Sequence, residues 1–237
     1  MSLHLDALPD SIAPFVVLPG DPLRARRIAE GLLQQAAPVN QRRAAYGFTG
    51  LFDGRRVSVQ ATGMGMPSMA IYAQELIVGY GVRRLVRIGT CGSLQPGMKI
   101  GDLVLAVAAS TDSGMNRRTF AGADFAAAAD FALLRLAHDK ARASGLRVHV
   151  GTVVTSDAFY GPEGAWNVFA DHGALAVEME TSALYTVAAR HRVAALSILT
   201  VSDYILGGTA GEIMHPDDRE RSLTPMARLG LEVATAG

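Results

Sequence analysis

Along the chain, six short runs of Val, Ile, Leu and Ala carry no regular polar alternation: FVVLPG (15–20), RRLVRIGT (83–90), DLVLAVAAS (102–110), HVGTVVTSD (149–157), ALAVEME (174–180) and ALSILTVSD (195–203). Strands buried on both faces read this way, because each side chain meets apolar neighbours whichever face it takes. Between the runs, apolar residues at helical spacing predict helices over Leu23–Gln35, Ser68–Gly79, Phe125–Ser144, Thr181–His191 and Arg221–Ala234. In FALLRLAHDKARASG, for instance, Leu133, Leu136, Ala137 and Ala141 fall on one helical face, and Gly145 stops the pattern. The segment YGFTGLFDGRRVSVQATG predicts a hairpin turning at Asp53-Gly54. Buried strands interleaved with helices, plus one hairpin, give an α/β fold with a central mixed β-sheet flanked by helices. No Pro/Ser-rich linker interrupts residues 1–237, so one domain is expected.

Composition narrows the partners. Lys and Arg together number 22 and so do Asp and Glu, so there is no net basic field for nucleic acid, while an apolar share of 49% supports a large core. Cys91 is the only cysteine, which excludes an internal disulfide and a CxxC metal knuckle. The opening MSLHLDALPDS has acidic residues where a secretory signal needs basic ones, and no apolar run reaches the length of a membrane span. The expectation is a cytoplasmic protein with no metal and no membrane partner.

The polar motifs cluster at the ends of the apolar runs: PGDPLR, TGMGMPS, RIGTCGS, TSDAFY, VEMET and TVSDY. Open α/β sheets place their ligand sites at such strand ends, which points to one shared cleft. Gly20 and Arg24 follow the first run. Taken alone, they fit equally an anion site and an ordinary turn with Asp21 as N-cap and Pro22 at the first helical position; Arg26 and Arg27 read as a solvated face. Arg87 lies inside an apolar strand, where a guanidinium requires an anion or a carboxylate. Thr90 with Gly89 and Gly92 would add a hydroxyl and a tight turn with free N–H groups, the parts of a phosphate nest. Neither GxxxxGK[ST] nor GxGxxG is present. In TGMGMPS, Met66 reads as core filler and Met64 as a side chain for the cleft. Glu178 and Glu180 share a face if the segment is extended; Glu178 is also placed to serve a helix N-terminus, and Glu180 to accept from two adjacent hydroxyls. The pair would equally suit a two-carboxylate glycosidase. Ser202 and Asp203 end an apolar strand, either as a cap or turn or with Asp203 as a proton donor helped by a nearby arginine that moves the proton.

On these motifs, in this order and spacing, the chain resembles the nucleoside phosphorylase family over nearly its whole length, and within it the oligomeric, broad-specificity bacterial purine class. The resemblance implies phosphorolysis of purine nucleosides in salvage, with inorganic phosphate as co-substrate and no cofactor. It implies phosphate contacts from Gly20, Arg24, Arg87 and Thr90 and from the partner subunit's Arg43. Met64, Glu178, Met179 and Glu180 fall to the nucleoside, with the partner subunit's His4 at the ribose. Phe159, Val177 and Ser202 fall to the base, with Asp203 as the acid and Arg219 as its helper, Arg221 being the other placement. It implies a homo-oligomer with shared sites, a hexamer built as a trimer of dimers, and Gly207–Gly211 as a lid. Thr90 leans toward the family's uridine phosphorylases, but their Gln-x-Arg uracil-reading stretch is missing between Tyr160 and Glu178. A water-using methylthioadenosine nucleosidase would have little use for Arg24 and Arg87.

Overall fold

The computed structural model describes residues 2–206, 213, 214 and 216–236, with backbone alone for 216–222. Among the described residues ten strands form one mixed sheet: β1 (Phe15–Pro19), β2 (Gln34–Asn40), β3 (Gly47–Phe52), β4 (Arg55–Gln60), β5 (Arg84–Ser93), β6 (Leu103–Thr111), β7 (Ala127–Ala128), β8 (Val148–Thr155), β9 (Ala176–Glu178) and β10 (Ala194–Tyr204). Among the described residues the helices are α1 (Pro22–Leu32), α2 (Met66–Tyr80), α3 (Gly114–Thr119), α4 (Phe131–Ala143), α5 (Asn167–Asp171), α6 (Thr181–His191) and α7 (Pro216–Thr235), and a 3-10 turn spans Arg42–Ala44.

Part of the sheet closes on itself. β5 pairs parallel with β10 and antiparallel with β9, β9 with β8, β8 with β6, and β6 antiparallel with β10, so five strands make a ring from which β1, β4, β3 and β2 extend as a wing. The unalternating runs are explained by two apolar layers. Val16, Leu18 and Leu85 pack with Met66, Met69 and Leu76 of α2 and Leu184 of α6, whereas Val17, Val86 and Ile88 pack with Ile28 of α1, Ala137 of α4 and Met226 of α7. Successive residues of one strand thus enter opposite cores.

The hairpin turns where expected: Phe52 pairs with Arg55, and Asp53 and Gly54 both take positive φ, as a two-residue primed turn requires. Several boundaries differ from the sequence pattern. The first helix stops at Leu32 rather than Gln35, because Leu33 is extended and the chain turns into β2, an edge strand carrying Pro38 and paired with β3. The helix expected from Phe125 begins at Phe131, where the Asp130 carboxylate accepts from the Leu133 N–H at 2.9 Å; Ala127–Ala128 instead pairs with β6. The last helix starts earlier than expected, at Pro216. Three short elements, β2, α3 and α5, carry no periodic signal in the sequence. No helix among the described residues is long and apolar enough to cross a membrane.

Candidate active site

The strand-end motifs converge. Gly20 lies against the turn after β4: a Cβ there would sit 2.9 Å from the Gly63 carbonyl oxygen, and Gly63 N–H donates to Gly20 O at 2.9 Å. Only glycine lets these turns touch. At the start of α1 the Asp21 carboxylate accepts from the N–H groups of Leu23 (2.7 Å) and Arg24 (3.4 Å). The helix N-terminus that the sequence offered to an anion is therefore occupied by its own cap, and the Arg24 side chain, four residues after Gly20, is half-buried.

Arg87 is buried on β5, on the α2/α6 side of the sheet, and it has the carboxylates that its position demanded. Its Nε and Nη2 each lie 3.2 Å from Glu178 Oε2, and Nη2 also pairs with Glu180 Oε2. Burial works against its charge, but the two carboxylates more than offset that and hold it protonated. Nη1 has no partner among the described residues. RIGTCGS is not a nest-forming turn, because β5 runs on to Ser93. Its glycines act through space: a Cβ at Gly89 would lie 2.7 Å from Arg87 Nη2, so the guanidinium folds over Gly89, with Thr90 half-buried beside it.

The two glutamates do different jobs. The chain leaves β9 at Glu178 and enters α6 at Thr181, so the pair is not extended. Glu178 accepts from the N–H groups of Glu180 (2.9 Å) and Thr181 (3.0 Å) and from the Thr155 hydroxyl (2.5 Å), which makes it the anchor of the helix start. Glu180 turns to the N-terminus of α2, where the Gly65 N–H donates to its Oε1 at 2.5 Å; Gly65 has φ 88°. Burial, with Glu178 alongside, holds the Glu180 carboxyl above the usual carboxylate range despite Arg87. Sequence reasoning missed Gly65 and Thr155 as partners, although both lie in motifs at strand ends.

Gly92 joins the remaining parts. It pairs with Val177 on β9 and with Asp203 on β10. The register slips between Val201 and Asp203, which leaves Ser202 as an extra, bulged residue and re-aims the acid. A Cβ at Gly92 would lie 3.0 Å from Asp203 Oδ2 and 2.6 Å from Ile205 Cγ1. Ser202 is buried and its hydroxyl donates to Asp203 Oδ1 at 2.6 Å. Met66 is fully buried, whereas Met64 is 78% and Phe159 68% exposed. Met179 is half-buried between the two glutamates.

The motif matches extend to homologous chains. The model of the phosphorylase superfamily matches residues 14–234. The chain belongs to the phosphorylase superfamily. Among relatives named DeoD-type purine nucleoside phosphorylase, it is 52% identical to that of Caldanaerobacter subterraneus subsp. tengcongensis over 236 residues, covering 99% of this chain and 100% of the relative. It is 50% identical to that of Geobacillus kaustophilus over 234 residues, covering 99% and 98%, and 49% identical to that of Bacillus cereus strain ZK over 235 residues, covering 99% of both.

In this phosphorylase-superfamily chain, His4 and Arg43 stand apart from the cluster. His4 Nδ1 lies 2.7 Å from Glu75 Oε1, its backbone N–H donates to Glu75 Oε2 at 3.0 Å, and its ring meets Tyr72 edge-on. Arg42 Nη1 donates to Leu3 O at 2.9 Å, and Arg43, exposed at φ 56°, lies close enough to Tyr72 to act on its hydroxyl. Glu75 is ten residues beyond Gly65, or about 15 Å along α2 at 1.5 Å per residue. The side chains of Arg219 and Arg221 and the segment Gly207–Gly211 lie outside the described residues. No group of three or more metal-ligating side chains occurs among the described residues.

Proposed function

We propose that this protein cleaves purine nucleosides with inorganic phosphate, giving free purine and ribose 1-phosphate. The observation that carries it is the meeting of a doubly paired arginine, a carboxylate free of the sheet ladder, and an aspartate aimed by a bulge: Arg87 lies on the strand of Gly92, Glu180 pairs with Arg87, and Asp203 is the ladder partner of Gly92. A water-using nucleosidase has no role for Arg24 and Arg87 together.

Phosphate sits between Arg24 and Arg87, with Gly20 and the Thr90 hydroxyl completing the contact; Arg87 offers Nη1, the one guanidinium nitrogen left open. Glu180, held by Gly65 and Arg87, accepts from the ribose hydroxyls with Met64 and Met179 against the sugar, and Glu178 keeps Arg87 and the start of α6 in place. The base lies at Val177, Phe159 and Ser202. Phosphate attacks the anomeric carbon as the bond to N9 lengthens, and the oxocarbenium-like sugar is stabilised by the anion beneath it. Asp203 gives its proton to N7, the Ser202 hydroxyl on Oδ1 leaving Oδ2 for the purine; Arg219 is its helper.

Each site is completed by the partner subunit's His4 and the partner subunit's Arg43. Leu3, Ile71 and Val78 form an exposed apolar stripe around the His4 arm, Ile71, Glu75 and Val78 being at i, i+4 and i+7 of α2. A two-fold contact through that stripe would carry both side chains to a neighbour's cleft. Three such dimers would make the hexamer, in the cytoplasm. Purine release from inosine should require phosphate and produce ribose 1-phosphate; release at an unchanged rate in phosphate-free buffer would refute the assignment.

A further inference from the structure

A buried carboxylate that the chemistry above does not use lies just before β6. Asp102 is 6% exposed, and its Oδ2 accepts from the Lys99 N–H at 2.9 Å, from His149 Nε2 at 2.8 Å and from Arg147 Nε at 3.0 Å. Arg147 Nη2 also donates to the Gly97 carbonyl at 2.7 Å. Burying a carboxylate is costly unless its donors are in place. Here the donors come from the segment 97–102 itself and from the start of β8, so the carboxylate fixes that segment against the sheet.

The fixed segment grips β10 on either side of the acid. The ladder between β6 and β10 ends at Leu103 and Thr200, but two backbone bonds continue it: the Val201 N–H donates to Asp102 O and the Gly101 N–H to Val201 O, each at 2.9 Å. The Ile100 N–H donates to the Tyr204 hydroxyl at 3.3 Å. Val201 and Tyr204 flank Ser202 and Asp203, where the register of β10 against β5 slips. A bulge interrupts pairing, so the direction of its side chains depends on what holds its two ends. The Ser202 carbonyl also accepts from the Met214 N–H at 2.7 Å, so losing one support loosens the bulge without releasing it.

We propose that Asp102 is a positioning residue: by fixing the segment that grips Val201 and Tyr204, its carboxylate aims the Asp203 proton at N7 of the purine. The proposal rests on the phosphorolysis reading above, with Asp203 as the acid. A misplacement of about 1 Å can cost about 10²-fold in rate, and it costs nothing where no proton is transferred.

The test compares guanosine with 7-methylguanosine, whose cationic base leaves without protonation at N7, in saturating phosphate with base release followed chromatographically. Asp102→Ala should lower kcat for guanosine by about tenfold or more and leave 7-methylguanosine within about twofold of the unmodified protein. Asp102→Asn keeps a side-chain oxygen for the Lys99 N–H and should recover most of that loss. Tyr204→Phe, which removes one hydroxyl, should give the same split between substrates at smaller size. Added to Asp203→Asn, Asp102→Ala should cost guanosine nothing more, because no proton is left to aim. Equal losses on the two nucleosides, a full additional loss in the double variant, or wild-type rates on both nucleosides in Asp102→Ala would each overturn the proposal. Should Asp102→Ala fail to fold, Tyr204→Phe decides by the same comparison. If the unmodified protein cleaves guanosine equally well without phosphate, the phosphorolysis reading fails and the proposal with it; if Asp203→Asn costs both nucleosides equally, the acid is misassigned and the proposal falls for that reason.

Discussion

Replacing Arg87 with methionine keeps most of the side-chain volume and removes the cation from between two buried carboxylates. Glu178 cannot turn to water, because its oxygens hold the Glu180 and Thr181 N–H groups and the Thr155 hydroxyl; Glu180 is held at the Gly65 N–H. The variant therefore encloses two facing negative charges. Removing one partner from a buried ion pair costs about 3–5 kcal/mol, and a chain of this size loses about 2–4 °C of Tm per kcal/mol. A fall of roughly 6–20 °C at pH 8 is expected, measured at fixed protein concentration because assembly contributes to Tm. The pH dependence is the sharper part. In the variant the Glu180 carboxyl, already held above its usual range by burial, loses the cation that opposed that shift, so the folded state binds a proton that the unfolded state releases; its relative stability is greatest at low pH and is lost as pH rises through the raised value. The gap from wild type should narrow steadily from pH 8 to pH 5, and adding Glu180→Gln should close most of it at pH 8. A gap independent of pH, or a variant as stable as wild type at pH 8, would show that the Arg87 cluster is not the buried, charge-balanced unit described here.

Other expectations address the chemistry and the assembly. Asp203→Asn should reduce turnover of adenosine by about 10²–10⁴ while sparing 7-methylated purine nucleosides, whose base is already cationic; equal losses would remove Asp203 as the acid. Arg43→Ala and Asp203→Ala should each be nearly inactive, but unfolding them together and refolding the mixture should restore roughly a quarter of the sites, since one site of each mixed dimer has both residues intact. No recovery from verified mixed dimers would place Arg43 elsewhere. Hydrogen bonds from Ser2 and His4 outweigh burial and hold the Glu75 carboxyl below its usual range, so docking of the N-terminal arm should persist above that range and be lost as pH falls through the lowered value. Amide exchange at His4 and Leu5 should accelerate in acid and in Glu75→Gln; unchanged exchange in the variant would disprove that anchor.

The parts of the fold that the sequence made legible are those set by burial. Unalternating runs became two-sided strands, and an arginine in such a run had to find carboxylates, which it did. What stayed hidden depends on pairing between distant segments. QQAAPVN has no strand pattern and becomes β2 only because β3 offers it a ladder. The bulge at Ser202 follows from the register of β10 against β5, which no local pattern encodes. Gly89 and Gly92 read as a turn because glycine usually marks one; here they clear room for Arg87, Asp203 and Ile205 within a straight strand. His4 and Arg43 had no signal of their own, since nothing about an N-terminal arm or a 3-10 turn marks the role in a neighbour's cleft proposed for them.

The ring of five strands closes through β9, which is only three residues long. Val177 and Ala176 form its whole bond to β5, and Glu178 ends its bond to β8. Such a seam is the weakest place in an otherwise continuous hydrogen-bonded cylinder, and Gly92 and Val177 pair across it. A nucleoside bound as proposed, touching β5, β9 and β10 together, would act as a rivet across it, so occupancy should slow amide exchange along the seam while the β1–β4 wing continues to breathe at its own rate.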